Sequence, residues 1–178
     1  MTDTDTQPMV VPSFMDGEDT ERKLAIICSK GTLDMAYPGL SLANGALENG
    51  IETHLFFTFW GLDMVNKKTM RKLTITSAGN TSMRFPGTSI SMPQWMAWIP
   101  GMTKFQSWMM RKQIGDLDVP NVTDMLQHVA DAGGHLWACK MSADMMKLTE
   151  DDLFDEVQAI INVDDFMQLS EDAQVLFI

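Results

Sequence analysis

The chain has 178 residues and a mass of 20.0 kDa, and 45% of its residues are hydrophobic. That is one ordinary domain with enough apolar material for a full core, which argues against a disordered chain or a two-domain enzyme. Its 24 acidic and 13 basic side chains give a net charge of −11, which disfavours nucleic acid as a partner, and two cysteines with three histidines leave no basis for a disulfide scaffold, a zinc site or another metal cofactor.

Residues 1–21 mix Asp, Thr, Pro and Glu without periodicity and read as a flexible acidic tail. No basic segment precedes an apolar run there, so a secretory signal is not expected and a reducing, cytoplasmic location is. Residues 22–178 read as a single α/β domain. Leu24–Cys28 is a short apolar run, Ser29-Lys30-Gly31 a turn, and the amphipathic stretch that follows a helix ended by Gly50. Ile51–Phe57 predicts a second strand, followed by Thr58-Phe59-Trp60-Gly61. Leu73–Thr76 reads either as a short strand or as part of an insertion.

The insertion, about residues 77–113, interrupts the pattern. Residues 60–115 carry one acid, Asp63, and eight bases, net +7, between flanks of −6 and −12. Met83–Met110 contains six Met and three Trp, and no charge occurs from Phe85 to Thr103. That stretch is long enough to raise a membrane span, but Pro86, Pro93 and Pro100 exclude one uninterrupted helix. It reads as an irregular apolar segment ending in a helix over Thr103–Lys112. Three uses fit it: a contact in a homo-oligomer, a peripheral contact with a membrane surface, or a lid over Cys139. The basic patch also suits an acidic protein partner or thiosulfate.

After the insertion, Val122–Ala132 predicts a helix stopped by Gly133-Gly134, His135–Cys139 a strand and Ser142–Lys147 a helix. Thr149 is an N-cap with Asp152 three residues on. Val157–Ile161 is a strand, Asn162 caps a helix through Met167, and Gln174–Ile178 is a last strand. Alternating strands and helices imply an open, mostly parallel sheet with helices on both faces.

Ligands of such sheets bind outside the carboxyl ends of the strands. Cys139 ends a strand just before a helix start, where free N–H groups favour a thiolate, and Lys140 adds positive charge. That suits a nucleophilic thiolate or a persulfide. The plain alternative is a buried small hydrophobe. Cys28 also ends a strand and reads either as a core residue or as a second thiol that resolves a persulfide on Cys139. No Cys-x-x-Cys is present, and neither cysteine has a peroxiredoxin setting. His54 and His128 read as structural or surface residues. His135 begins the strand that Cys139 ends, about 13 Å away, too far for a dyad within one chain. Serine-hydrolase, P-loop and dinucleotide motifs are absent.

Gly31-Thr32-Leu33-Asp34-Met35-Ala36-Tyr37-Pro38, Leu42-Ala43-Asn44-Gly45-Ala46 and Phe56-Phe57-Thr58-Phe59-Trp60-Gly61-Leu62 resemble the first half of DsrE/DsrF/DrsH-like proteins. Ala138-Cys139-Lys140-Met141-Ser142-Ala143-Asp144-Met145-Met146 resembles the segment around that family's active cysteine. The likeness is to long-insert members, sometimes labelled peroxiredoxin-like. It implies a five-stranded parallel fold, an oligomer, and cytoplasmic sulfur relay by a sulfurtransferase or persulfide carrier without a cofactor. Partners so implied are a TusA-type sulfur carrier or a rhodanese-like protein, and small sulfur compounds such as thiosulfate or polysulfide. Cys139 would accept the sulfur. The loop N–H groups at Met141 and Ser142 would hold the anion, and Gly31, Thr32, Asp34, Thr58, Trp60 and Gly61 are candidate walls. The competing class is a non-catalytic binding or scaffold protein in which Cys139 is inert.

Overall fold

The computed structural model of the chain describes residues 22–85 and 88–178. The expected tail over residues 1–21 lies outside them.

Five strands form one all-parallel sheet: β1 (Lys23–Cys28), β2 (Glu52–Phe57), β3 (His135–Cys139), β4 (Val157–Ile161) and β5 (Gln174–Phe177), in the order β4-β3-β2-β1-β5. The helices are α1 (Leu33–Glu48), α2 (Met102–Gly115), α3 (Val122–Asp131), α4 (Lys140–Met146) and α5 (Val163–Leu169). Side chains alternate across a strand. Leu24, Ile26, Cys28, Leu55, Phe57, Leu136 and Ala138 therefore share one face and form the main core with Leu33, Ala36, Leu40 and Ala43 of α1 and Leu126 and Val129 of α3. Ala25, Phe56 and Cys139 point to the other face, where Phe166 of α5 packs on them in a smaller cluster.

Local sequence explains the punctuation. Asn121 and Asn162 accept hydrogen bonds from Asp124 N–H and Asp165 N–H and cap α3 and α5. Thr149 and Asp152 form a capping box on the short 3₁₀ turn Glu150–Asp152. Gly50 and Gly133 take left-handed φ values of 70° and 88° just past α1 and α3, a conformation costly for any residue with a Cβ.

Two expectations shift. Leu73–Thr76 is not a strand but belongs to the insertion: Leu33 N–H donates to Thr74 O, while Ile75 N–H donates to Ser107 Oγ and Thr76 N–H to Asp34 Oδ1. These backbone groups are paired without a ladder. The fourth helix begins at Lys140, two residues before Ser142, because Cys139 itself is its extended N-cap residue, at φ −73° and ψ 121°.

Candidate functional site

The carboxyl ends of β2 and β3 lie side by side, with Phe57 paired to Ala138. Cys139 follows as the last residue of β3, and Thr58 and Phe59 follow β2 into a 3₁₀ turn, Phe59–Met64. With Cys139 at the N-cap, Met141 and Ser142 are the second and third helical residues, whose N–H groups an N-cap acceptor normally receives. Sulfur stands where serine or aspartate usually puts oxygen. Cys139 makes no side-chain capping hydrogen bond in this geometry, while the nearby N–H groups of Met141 and Ser142 favour its anion.

The hydroxyls complete the set. Ser142 is fully buried and its Oγ lies 3.3 Å from Thr58 Oγ1. Phe59 N–H donates to Ser142 Oγ at 2.8 Å. Phe59 reaches that position at φ 45°, a left-handed conformation of a bulky residue that costs on the order of 1–2 kcal/mol. Burial, the largest influence on Cys139, favours the neutral thiol. Hydrogen bonds from the Ser142 and Thr58 side chains and from the Ser142 and Met141 N–H groups outweigh it, and the pKa falls below the ordinary thiol value. The thiol is only 1% exposed, beneath Phe166, which stacks on Phe56 with ring centroids 4.3 Å apart.

The other sequence-derived candidates divide into groups. Ser142, Thr58 and the Met141 backbone converge on Cys139. Lys140 does not: its ammonium pairs at 3.8 Å with Asp144 in solvent. The Met141 and Trp60 side chains are exposed, more than half in each case, and do not bury the sulfur. Gly31 and Gly61 act through the backbone. A Cβ on Gly61 would stand 1.9 Å from Cys28 O, and one on Gly31 2.3 Å from Trp60 O, so both glycines let the two strand-end loops close on each other. Thr32 and Asp34 face the insertion, where Thr76 donates to both of their side chains.

Cys28 is not brought to Cys139. It lies two strands away on the opposite face, against Gly39 of α1, and burial pushes its thiol up to about 12. Phe59 and Phe166 were not singled out from sequence. One needed the positive φ to be seen, the other the packing of α5 across the sheet.

At the opposite end of the sheet, register sets His54 of β2 beside His135 of β3, with rings stacked 4.7 Å apart. With Glu52 they form a trio of metal-ligating side chains. Both His54 nitrogens are engaged, however: Nε2 with Glu52 at 2.9 Å, and Nδ1 accepting from the Trp137 indole at 3.2 Å. A neutral imidazole carries one N–H, so it cannot accept from Trp137 and also offer Nε2 to a metal. The trio is a hydrogen-bonded stack.

The fold is a five-stranded, all-parallel α/β sheet with Cys139 at the carboxyl end of β3, between two strand-end loops. Residues 20–178 match the family model described as DsrE/DsrF/DrsH-like family, and the chain belongs to that family. It is 32% identical over 142 residues to Sulfur carrier protein DsrE2 of Allochromatium vinosum, covering 78% of this chain and 86% of the relative. It is 28% identical over 144 residues to the Bacillus subtilis protein YrkE, covering 79% and 86%. Its fold is similar to the crystal structure of the E. coli ychN protein, with a TM-score of 0.51 and 15% identity over 88% of this chain and 99% of the other.

Proposed function

We infer that the protein is a sulfur carrier that holds sulfane sulfur as a persulfide on Cys139 and passes it to a partner thiol. The observation that carries the reading is the donor set on Cys139, two hydroxyls and two N–H groups, which favours the anion at a buried strand end. The likeness to the Allochromatium vinosum sulfur carrier supports it.

The Cys139 thiolate attacks the sulfane sulfur of a donor persulfide. The Cys139–sulfur bond forms, the donor's sulfur–sulfur bond breaks, and its electron pair leaves on the donor thiolate. With thiosulfate the leaving group is sulfite. An acceptor thiolate, such as that of a TusA-type or rhodanese-like protein, then attacks the terminal sulfur and regenerates Cys139. The sulfur atom and its electrons balance at each step, so no redox cofactor is needed. A reducing, cytoplasmic setting keeps the thiol available between loads.

Intact-mass measurement of the reduced protein after exposure to thiosulfate or polysulfide tests this. The expected result is gain of one sulfur atom by the wild type and none by Cys139→Ser. No gain in the wild type, or equal gain in the variant, overturns it.

A further inference from the structure

Helix α2 buries two polar side chains and exposes two aromatic ones. Its buried side chains are polar: Gln106 is 2% exposed and Ser107 1%. Gln106 accepts from the Ser77 hydroxyl and donates to Met92 Sδ, while Ser107 Oγ donates to Thr103 O and accepts from Ile75 N–H. Its exposed side chains include Phe105 and Trp108, at i and i+3, with ring centroids 5.9 Å apart. A water-facing helix normally presents the reverse arrangement. The polar atoms that hold the insertion together are used internally, and the aromatic face is left without protein cover.

The short turn Gln94–Trp98, which packs against α2, buries none of its residues and exposes Trp95 and, at 85%, Trp98. Ile90 and Ile99 are exposed nearby in sequence. Cations flank this apolar surface, and the nearest acid along α2 is Asp116, just past its end. Lys104 and Lys112 lie on α2 and Arg84 precedes the turn, all exposed, and Lys112 sits 6.0 Å from the Trp108 ring, while the Arg111 guanidinium turns back to donate to Leu73 O. Asp63 is the only acid from residue 60 to 115.

We propose that this face docks the protein peripherally on an anionic lipid surface, with Trp95, Trp98, Phe105 and Trp108 at the headgroup level and the flanking cations on lipid phosphates. Indole rings favour that interfacial layer, and basic side chains beside them gain from negative headgroups. Two copies meeting through this face would set like charges against each other, which disfavours self-association there. Among the described residues no helix is long and apolar enough to cross a membrane, so the contact is with the surface. The insertion leaves β2 at the sheet end that carries Cys139, so docking would hold that end toward the lipid. The inference stands apart from the persulfide reading, because it uses none of the residues around Cys139.

Co-flotation of the full chain with vesicles tests it. Vesicles of phosphatidylcholine and phosphatidylglycerol in equal parts are expected to bind the protein, and phosphatidylcholine alone to bind it far less. Each of Lys104→Gln and Lys112→Gln is expected to weaken partitioning about fivefold. Trp98→Ser, at a side chain the fold does not use, is expected to weaken it about tenfold while leaving sulfur loading of Cys139 intact. Equal binding to both vesicle types, no binding to either, or a Trp98→Ser variant that binds as wild type overturns the proposal. So does loss of this surface into a dimer that gel filtration detects without lipid and that Trp98→Ser dissolves.

Discussion

Cys28 and Cys139 each end a strand of one parallel sheet, yet they point to opposite faces of it, with β2 between their strands. The consequence is a division of chemistry. Cys28 sits in the main core with its thiol pushed up to about 12 by burial, while hydrogen bonds hold the Cys139 thiol below its ordinary value. Alkylation by iodoacetamide near neutral pH, read by peptide mass, is expected to label Cys139 and leave Cys28 unmodified in the folded protein.

Ser142 links the two loops of the site, accepting from Phe59 N–H and favouring the Cys139 anion. Ser142→Ala removes a donor to the thiolate and strands the Phe59 N–H. The pH midpoint of Cys139 alkylation is expected to rise, and stability to fall by about 1–2 kcal/mol. Thr58→Val is expected to move the midpoint the same way by less. A midpoint that does not move in Ser142→Ala would remove the hydroxyl from the activation of the thiol.

Phe166 of α5, a helix that buries no other residue, packs in the same small cluster as Cys139. Phe166→Ala is expected to cost roughly 3 kcal/mol in urea unfolding. It is also expected to speed Cys139 alkylation at fixed pH without moving its pH midpoint, because access changes and the donors do not.

Gly61 lets the turn after β2 lie on the Cys28 carbonyl, with no room for a Cβ. Gly61→Ala must push those backbones apart. A loss of roughly 1–3 kcal/mol is expected, together with slower Cys139 alkylation as Thr58 and Phe59 shift from Ser142.

Stability is expected to fall at both pH extremes. Cys28 ionises in the unfolded chain near an ordinary thiol pKa of about 8.5 but in the fold only at about 12. Between these values the unfolded state loses a proton that the native state keeps, so stability drops by about 1.4 kcal/mol per pH unit. Cys28→Ala is expected to remove that slope from alkaline denaturation curves. On the acid side, burial holds the His54 pKa below its ordinary value, ahead of the opposing hydrogen bond from Glu52. The unfolded chain takes up the proton first, so stability is lost as pH falls through about 6.5. The His54→Gln variant is expected to lose less on acidification.

Much of the fold was legible along the chain. Leu24–Cys28 is an apolar run that marks a strand covered on both sides, and Asn162, Thr149 and Gly133 mark element ends by local hydrogen bonding and φ preference. Of the two readings of Leu73–Thr76 the structure takes the insertion, because its hydrogen-bond partners, Asp34 and Ser107, come from distant helices. The site was legible as Cys139 with Thr58 and Ser142. Lys140 and Trp60 were placed there by proximity in sequence, but their side chains leave the site for solvent.

By itself the sequence determined the local quantities: strand and helix periodicity, caps, the segregated charge, and a cysteine where β3 meets α4. Each depends on residues within a few positions of one another. Only the tertiary structure decided which face each cysteine takes, which side chains meet Cys139, and that α2 buries Gln106 while exposing Trp108. Those outcomes depend on strand order and on the packing of segments 32 to 84 residues apart, where a one-residue change of register reverses the face of every side chain.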